Sequence, residues 1–493
     1  MTLIVPPALM LTVFIFLFFI GALMSKAESS PFARPTLSVL SEIGRFALPI
    51  CVAQFASIGI FTADLWMMGQ LSTFDLAAGS LAVRLYQPFY FVSLGLLSII
   101  SALVAQSLGA DHPEIARRVF RQGFILSAIL GLCFMIPVLA GETLMLALGQ
   151  SNEIAAHARD FLFWSAFGLP ASLIFLSMRF FTLGHGETRP QLNATFVGLG
   201  FNLCANPILA HGLFGLPALG LGGIALATTL TYILMCLYLG LMIKVKMPFA
   251  ATRPFQRWWA IDIAIFRKII QIGWPNGFLV MSETGMFSVA AFIIGLFGAA
   301  PLAAAAISNQ IAAMVFMIPL SVAQACAVKV GRAAGADNRH QVEQYGNGGL
   351  FLGFLIAVML TVVIFIFAEK LGFLFINPAD LLSAQTIALV VPMLMITAVF
   401  QLGDGLQVIA TANLRGLNDT KIPAFYGFIC FWIVSLGSGA LMAFWLNWGP
   451  VAVWSGLGLG LTLNAIILIV RWWRRMHLVK SSHTRLLNVS VKN

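Results

Sequence analysis

Long apolar segments recur along the chain, separated by shorter stretches that carry most of the charged side chains. Twelve such segments lie between Arg45 and Trp473, and each is long enough to cross about 30 Å of hydrocarbon as an α-helix. Their centres fall near residues 57, 93, 132, 170, 203, 233, 280, 312, 358, 397, 434 and 461. This pattern predicts an all-α polytopic membrane protein with twelve transmembrane helices.

The composition and the N-terminal sequence extend this picture. Of the 493 residues, 60% are hydrophobic and only 9% are charged, whereas soluble proteins carry roughly 25% charged residues. A further apolar run, Leu9–Met24, precedes the twelve segments and has no Lys or Arg ahead of it, which is atypical of a signal peptide. We interpret this run either as an extension ahead of a translation start at Met24 or as an additional helix with its N-terminus outside.

The formal net charge of +10 would suit a nucleic-acid-binding surface, but the distribution of Lys and Arg indicates membrane topology instead. When the segments alternate across the bilayer, all 28 basic side chains except Arg84, Arg159 and Lys370 fall on one side. Basic loops are retained on the cytoplasmic side of membranes. We therefore predict a multi-pass protein of the bacterial inner membrane, with both ends of the helix bundle cytoplasmic and no nucleic-acid partner.

The sequence lacks the motifs typical of enzymes and of ATP-driven pumps. Its six cysteines lie in apolar segments without metal-binding or redox spacing. It contains neither a Walker loop nor a Gly-x-Ser-x-Gly motif. We therefore expect no enzymatic activity and no cofactor, with small molecules and the lipid bilayer as partners of a chain that acts as a monomer.

An internal repeat divides the chain into two halves. Four pairs of stretches match in order at an offset of 226 or 232 residues: Pro49 with Pro275, Leu76–Ala82 with Leu302–Ser308, Gly109–Asp111 with Gly335–Asp337, and Gly184–Arg189 with Gly416–Lys421. Because each repeat holds six helices, both halves have the same orientation, and a pseudo-two-fold axis along the membrane normal is expected. The predicted organisation is an N-terminal segment 1–43, an N-lobe 44–246, a cytoplasmic linker 247–264, a C-lobe 265–473 and a basic tail 474–493.

Three of the 18 acidic residues fall within predicted membrane helices: Asp64, Glu283 and Asp404. A charged carboxylate at the centre of a membrane helix costs about 2.5–3.5 kcal/mol on insertion scales. Such a group is either a packing group held by Ser, Thr or backbone, or a site that becomes neutral by binding a proton or a cation. The three positions together favour a site for a coupling ion, H⁺ or Na⁺.

Asn202 and Asn206 are four residues apart and therefore share one face of the fifth helix. Their amides can serve hydrogen bonding between helices, which is common in membranes. Alternatively, they are partners of Asp64 within the N-lobe. The sequence leaves both interpretations open.

The chain resembles the NorM-type branch of the multidrug and toxic compound extrusion (MATE) family over roughly residues 40–475. The resemblance rests on the stretches ADLWMMGQLSTFDLAAGSLA, LVAQSLGA, SMRFFTLGHGETRP, NLCANPILAHG, SETGMF, AAAAISNQIAAMVFMIPLSVAQACAVKVGRAAG and FQLGDGLQVIATANLRG. It implies twelve helices in two lobes and antibiotic resistance through multidrug efflux. Such a secondary active antiporter exports organic cations in exchange for H⁺ or Na⁺ by alternating access between its lobes.

The resemblance also implies site residues. The cation or proton site of the C-lobe would be Glu283 and Asp404, where Na⁺ is a candidate ligand. That of the N-lobe would be Asp64 with Asn202 and Asn206. Further residues expected to line these sites are Gln54, Phe400 and Gln401. The family branch commonly has tyrosine where this chain has Phe400, and the missing hydroxyl favours H⁺ over Na⁺.

Two other functions are compatible with a polytopic membrane protein. A lipid-linked oligosaccharide flippase of the same superfamily would need basic residues to hold a pyrophosphate. The predicted spans contain three acids and one arginine, Arg84, so a cationic substrate is favoured. A membrane-embedded acyltransferase would need a nucleophile or a His/Asp pair at one membrane face, and the sequence offers no such pair convincingly.

Overall fold

A computed structural model describes residues 35–257, 259–374 and 383–481, and this part of the chain is helical without any β-strand. It contains twelve helices that are long and apolar enough to span a membrane. They are α1 Leu37–Leu71, α2 Thr73–Gly109, α3 Pro113–Leu139, α4 Asn152–Gly184, α5 Arg189–His211, α6 Gly220–Val245, α7 Ile263–Gly295, α8 Ala299–Gly335, α9 Arg339–Phe373, α10 Gln385–Gly416, α11 Lys421–Trp445 and α12 Pro450–His477. The predicted all-α fold with twelve membrane-spanning helices is confirmed.

Several helices have local features that the hydropathy pattern does not show. Helix α2 consists of two stretches, Thr73–Leu97 and Ile99–Gly109. The regular helix of α10 begins at Ser383 and that of α12 continues to Ser481, while α11 contains π-helical turns at Ile429–Ser435 and Leu441–Trp445. A short helix, Gly141–Ala147, joins α3 to α4. The apolar run Leu9–Met24 and most of the basic tail lie outside the described residues.

The chain forms two compact units. One comprises residues 48–281, here called the N-terminal unit, and the other, here called the C-terminal unit, comprises the described residues before 48 and after 281. The units divide the chain within α1 and α7, so the linker and the first part of α7 group with the N-terminal unit. The lobe boundaries inferred from the sequence, 44–246 and 265–473, stay a prediction.

Both units pack their helices in the same pattern. In the N-terminal unit α4 contacts α2, α3 and α6, and α5 packs on α6. In the C-terminal unit α10 contacts α8, α9 and α12, and α11 packs on α12. Each contacting pair of helices in the C-terminal unit corresponds to a pair in the N-terminal unit whose helix numbers are lower by six. The internal repeat of the sequence is therefore also a repeat of helix packing.

An asparagine and a glycine explain why the first part of α7 belongs to the N-terminal unit. The Asn276 side-chain Nδ2 donates hydrogen bonds to the Gly95 carbonyl oxygen at 2.7 Å and to the Ser98 Oγ at 3.0 Å. A Cβ atom added at Gly277 would lie 2.7 Å from the Val92 carbonyl oxygen, well inside van der Waals contact. Glycine at this position therefore lets the backbones of α2 and α7 approach closely, as in other membrane helix pairs.

We expect Gly277→Val to destabilise the protein by about 1–3 kcal/mol, which is typical of an overpacked helix contact. The control is Gly200→Val, because a Cβ atom at Gly200 would meet no atom within 4 Å. Both variants add the same side chain to a helix, so differences in helix propensity cancel. Thermal unfolding of the purified variants in detergent measures the effect. Equal midpoints for the two variants would show that the α2–α7 contact does not require glycine.

The beginning of α1 belongs to the C-terminal unit through a polar cluster. The Lys329 Nζ of α8 donates a hydrogen bond to Glu42 Oε1, and the Tyr345 hydroxyl of α9 donates to Glu42 Oε2 at 2.8 Å. The Lys329 ammonium also lies 5.6 Å from the centre of the Phe46 ring. These contacts connect the start of α1 to α8 and α9.

Candidate functional site

Asp64 lies in α1 and is only 8% exposed, within a set of neutral hydrogen-bond donors. Its Oδ1 accepts from Asn202 Nδ2 at 3.1 Å and from Asn206 Nδ2 at 2.9 Å. Its Oδ2 accepts from the Thr228 hydroxyl at 2.7 Å. The structure therefore brings together the three residues that the sequence associates with an N-lobe site, and adds a fourth. Their role as an ion site stays a prediction.

Thr228 is the member of this cluster that sequence reasoning missed. Besides donating to Asp64, its Oγ1 accepts a hydrogen bond from Asn202 Nδ2 at 3.2 Å. The Asn206 amide donates to Asn202 Oδ1 at 3.2 Å, so the two asparagines also hold one another. Thr228 lies in the first half of α6, where a hydroxyl among apolar residues is a weak signal. Only the packing of α6 against α5 identifies it.

Arg179 requires a correction of the sequence interpretation, which counted it among the basic side chains on the cytoplasmic side and named Arg84 as the arginine within the predicted spans. Arg179 lies within α4 and is only 7% exposed, whereas Arg84, expected to be the intramembrane arginine, has an exposed side chain on α2. The Arg179 Nε donates to Gln191 Oε1 and its Nη2 donates to Gln54 Oε1, both at 3.1 Å. A hydropathy pattern cannot distinguish an arginine in the last turn of a membrane helix from an arginine in the loop that follows, because the two positions are only about one helical turn apart. Gln54, expected to line the site, therefore contacts a buried guanidinium.

Three tyrosines lie near these charged groups in the N-terminal unit. Tyr86 and Tyr232 are close enough to Asp64 to interact with it electrostatically. Tyr90 lies near Tyr232 and Arg179. The interior of this unit thus combines a carboxylate with aromatic faces, and both attract organic cations.

In the C-terminal unit, Glu283 of α7 and Asp404 of α10 lie close enough to interact electrostatically. Asp404 is only 5% exposed, while Glu283 is half-buried. The Gln407 side chain of α10 lies close to the Glu283 carboxylate. The two acids that the resemblance implies are therefore neighbours, and Gln407 is a further member of the cluster that sequence reasoning missed. Its position three residues after Asp404 was the available signal.

Three buried side chains on α10 each carry an oxygen atom that receives no hydrogen bond from the described part of the chain. They are Gln401 Oε1, Asp404 Oδ1 and Gln407 Oε1. The Gln401 Nε2, in contrast, donates to the Ala312 carbonyl oxygen of α8 at 3.0 Å. Buried polar atoms are nearly always satisfied, so three unsatisfied acceptors at intervals of three residues need an explanation. Acceptors without donors suit a proton or a metal cation.

Two glycines hold the helix around Asp404 close to its neighbours. A Cβ atom at Gly403 would lie 2.7 Å from Thr462 Oγ1 of α12. A Cβ atom at Gly405 would lie 3.2 Å from the Pro319 Cβ of α8. The Gly-Asp-Gly sequence therefore places the carboxylate on a segment packed tightly on two sides, which restricts its movement.

Aromatic rings pack beside the acids of the C-terminal unit. Phe400 is fully buried, and the centre of its ring lies 6.1 Å from that of Trp454 on α12. The Phe287 ring, one turn after Glu283, lies 6.4 Å from Trp454, and the indole Nε1 of Trp454 donates to Thr397 Oγ1 at 2.9 Å. Phe400 thus belongs to a packed aromatic group next to Asp404, and Trp454 is an additional member.

Twelve membrane-spanning helices in two units of the same packing, each unit with a buried acid, define a membrane transport protein. The sequence profile of the MatE family matches residues 49–208 and 275–441, two stretches that begin 226 residues apart, the offset of the internal repeat. The chain belongs to the MatE family. Because members of this family are transporters, the prediction that the chain is not an enzyme is confirmed.

Similar proteins cover most of the chain. A probable multidrug resistance protein NorM of Bradyrhizobium diazoefficiens is 35% identical over 428 residues, which are 87% of this chain and 92% of that protein. A protein of the same description from Pseudomonas putida is 32% identical over 90% of this chain and 97% of its own length. The predicted resemblance to NorM-type MATE transporters is therefore confirmed.

Solved structures show the same fold at lower sequence identity. The eukaryotic MATE transporter AtDTX14 has a TM-score of 0.80 at 18% identity and covers 90% of this chain and 99% of its own. A MATE crystallised in complex with MaL6 has a TM-score of 0.82 at 21% identity and covers 90% of this chain and 98% of its own. Both agree with the twelve-helix architecture.

Proposed function

We propose that this protein is a secondary active multidrug efflux antiporter that exports organic cations in exchange for H⁺ or Na⁺. The observation that carries the proposal is the presence of buried carboxylates in both units, with the described contacts of Asp64 coming from neutral donors. Family membership and the names of the NorM relatives support export of diverse small molecules. The setting we propose is the bacterial inner membrane, with both ends of the bundle cytoplasmic.

The geometry around Asp64 favours a proton as its ion. Two of the three groups that contact it are amide NH₂ donors, which point positive hydrogens at the carboxylate and leave little room for a metal cation. The Thr228 hydroxyl can instead reverse its role and accept a hydrogen bond from a protonated Asp64. A carboxylate that alternates between these forms can exchange a proton for a cationic substrate.

The cluster in the C-terminal unit suits either ion. Glu283 and Asp404 together supply two acidic side chains, and the unsatisfied oxygens of Gln401 and Gln407 supply neutral acceptors on the same helix as Asp404. Oxygen atoms without donors are the ligands that hard cations prefer. Protons can also neutralise one or both carboxylates, which avoids two like charges at close range. An organic cation that displaces the bound ion completes the exchange.

We expect Phe400→Tyr to raise Na⁺-stimulated efflux relative to efflux driven by a pH gradient. Phe400 lies one helical turn before Asp404, so a hydroxyl added there would provide one more oxygen on the same face of α10. The control is Phe431→Tyr, which adds a hydroxyl to another fully buried phenylalanine of the same unit. An unchanged ratio of the two activities in Phe400→Tyr would mean that the ion preference is set elsewhere.

The second candidate is a flippase for lipid-linked oligosaccharides, and the buried Arg179 is the observation that favours it. A guanidinium within the N-terminal unit could hold a phosphate group. The two amide oxygens of Gln54 and Gln191 already occupy part of its donor set, however. The acids Asp64, Glu283 and Asp404 continue to favour a cationic substrate.

Efflux from proteoliposomes separates these proposals. The purified protein is reconstituted with a fluorescent organic cation inside, and transport is driven by a pH gradient or, separately, by a Na⁺ gradient. An antiporter responds to at least one gradient and transports the cation against its own concentration difference. The flippase would be supported if neither gradient drove transport of the cation and the protein moved an oligosaccharide pyrophosphate lipid across the bilayer without any gradient.

A further inference from the structure

A cavity lined by arginines lies at the predicted cytoplasmic side of the N-terminal unit, apart from the acidic clusters. It has a volume of about 650 Å³, within the range of ~300–1,000 Å³ for small-ligand sites. Its lining includes four arginines and one aspartate: Arg117, Arg118, Arg121, Arg257 and Asp262. The cavity therefore carries a strong positive charge.

Hydrogen bonds from α3 shape this cavity by holding the linker segment in place. The Arg121 Nη1 donates to the carbonyl oxygens of Gln256 at 3.2 Å and Arg257 at 2.9 Å. The Gln122 Nε2 donates to the Ala260 carbonyl oxygen at 3.0 Å. The cavity is thus a built part of the fold rather than a gap beside a loose loop.

The guanidinium groups keep donors that the described residues do not use. The hydrogen bonds that Arg117 and Arg121 make to described residues all leave from Nη1, so the Nη2 groups are not used by them. The Arg118 Nη1 forms an ion pair with Asp262 Oδ2 at 3.8 Å, a distance that is too long for a hydrogen bond. Four clustered guanidinium groups with spare donors suit a phosphate group, which binds arginine through pairs of hydrogen bonds.

Apolar side chains of the same linker indicate where that phosphate comes from. Trp259, Ile261 and Ile263 are 68%, 67% and 75% exposed, and they alternate with Ala260 and Asp262. The carbonyl oxygen of Ala260 accepts a hydrogen bond from α3, while Ile261 and Ile263 border the cavity and leave most of their surface exposed. Exposed tryptophan and isoleucine beside a basic cavity are typical of a segment at the membrane interface.

We propose that this arginine cavity binds the phosphate group of an anionic phospholipid in the predicted cytoplasmic leaflet, with Trp259, Ile261 and Ile263 beside its acyl chains. Basic pockets near the membrane ends of helices attract anionic headgroups. The linker between the two repeats thereby contacts a bound lipid. The inference does not depend on which ion or substrate the protein transports.

The test measures lipid binding to the purified full-length protein by native mass spectrometry. Short-chain phosphatidylglycerol and phosphatidylcholine are titrated into detergent solutions of wild-type protein and of the double variant Arg118→Gln/Arg257→Gln. The control variant Lys244→Gln/Lys246→Gln removes the same charge from exposed positions outside the cavity. We expect wild type and control to bind phosphatidylglycerol in preference to phosphatidylcholine, and the cavity variant to bind it at least about tenfold more weakly.

Equal affinity of the cavity variant and the wild type for phosphatidylglycerol would overturn the proposal. Displacement of the lipid by millimolar inorganic phosphate would also overturn it, because the site would then belong to a soluble anion. The single variant Arg257→Gln, at an exposed position, repeats the measurement should the double variant not fold. Loss of preference in that variant supports the proposal, and full retention of preference contradicts it.

Discussion

Replacing Asp404 with asparagine is expected to lower ion-driven efflux by at least about tenfold, a typical size for the loss of coupling between two ligands. The variant cannot exchange a proton, and it removes one charge from the pair with Glu283. The side chain keeps its size within the segment between Gly403 and Gly405. Because a neutral amide is easier to bury than a carboxylate, we expect normal insertion and folding. Efflux of a fluorescent cation from proteoliposomes, normalised to folded protein, measures the effect.

The matched control is Asp419→Asn, which removes another poorly exposed acid of the same unit. The Asp419 Oδ2 accepts hydrogen bonds from Arg471 Nε at 2.9 Å and Nη2 at 2.6 Å, so its role is an ion pair. This variant should lower thermal stability and leave efflux per folded molecule nearly unchanged. Near-normal efflux from both Asp404→Asn and Glu283→Gln would remove the C-terminal cluster from the coupling mechanism.

Replacing Asp64 with asparagine is expected to abolish most efflux driven by a pH gradient, again by at least about tenfold. The amides of Asn202 and Asn206 and the Thr228 hydroxyl all contact the carboxylate, and an asparagine there cannot release or take up a proton. Thr228→Val should have a smaller effect, because it removes one hydrogen bond and leaves the titrating group in place. Direct binding of the fluorescent cation at several pH values distinguishes the two variants. Binding to Asp64→Asn should lose its pH dependence, while binding to Thr228→Val should keep it.

Asp75→Asn provides the control for this unit. Asp75 lies in the first turn of α2, where its Oδ2 accepts a hydrogen bond at 2.6 Å from the hydroxyl of Ser72, the N-cap residue. Its replacement removes an acid of the same unit without affecting the buried cluster. A pH-driven efflux that falls as much in Asp75→Asn as in Asp64→Asn would show that general loss of stability, and not the proposed proton site, explains the result.

The candidate site shows how far a sequence can predict a membrane site. Asp64, Glu283 and Asp404 could be identified because an acid within an apolar segment is costly wherever its helix packs. Asn202 and Asn206 could be paired because four residues make about one helical turn. Thr228 and Gln407 could not be assigned from the sequence, since a single hydroxyl or amide in a membrane helix is common and costs little free energy. Their importance follows only from the atoms they contact.

The sequence by itself determined the class of protein, the twelve membrane helices and the repeat, because hydropathy and the α-helical period are local properties. Tertiary structure alone decided which side chains meet across helices. It placed Thr228 on Asp64, brought Trp454 against Phe400, and buried Arg179 between Gln54 and Gln191. Such contacts depend on how each helix is rotated about its axis and on its height against its neighbours. For a helix that is buried on most sides, the hydropathy of the sequence does not indicate its rotation about its axis. Only packing against the neighbouring helices selects one rotation.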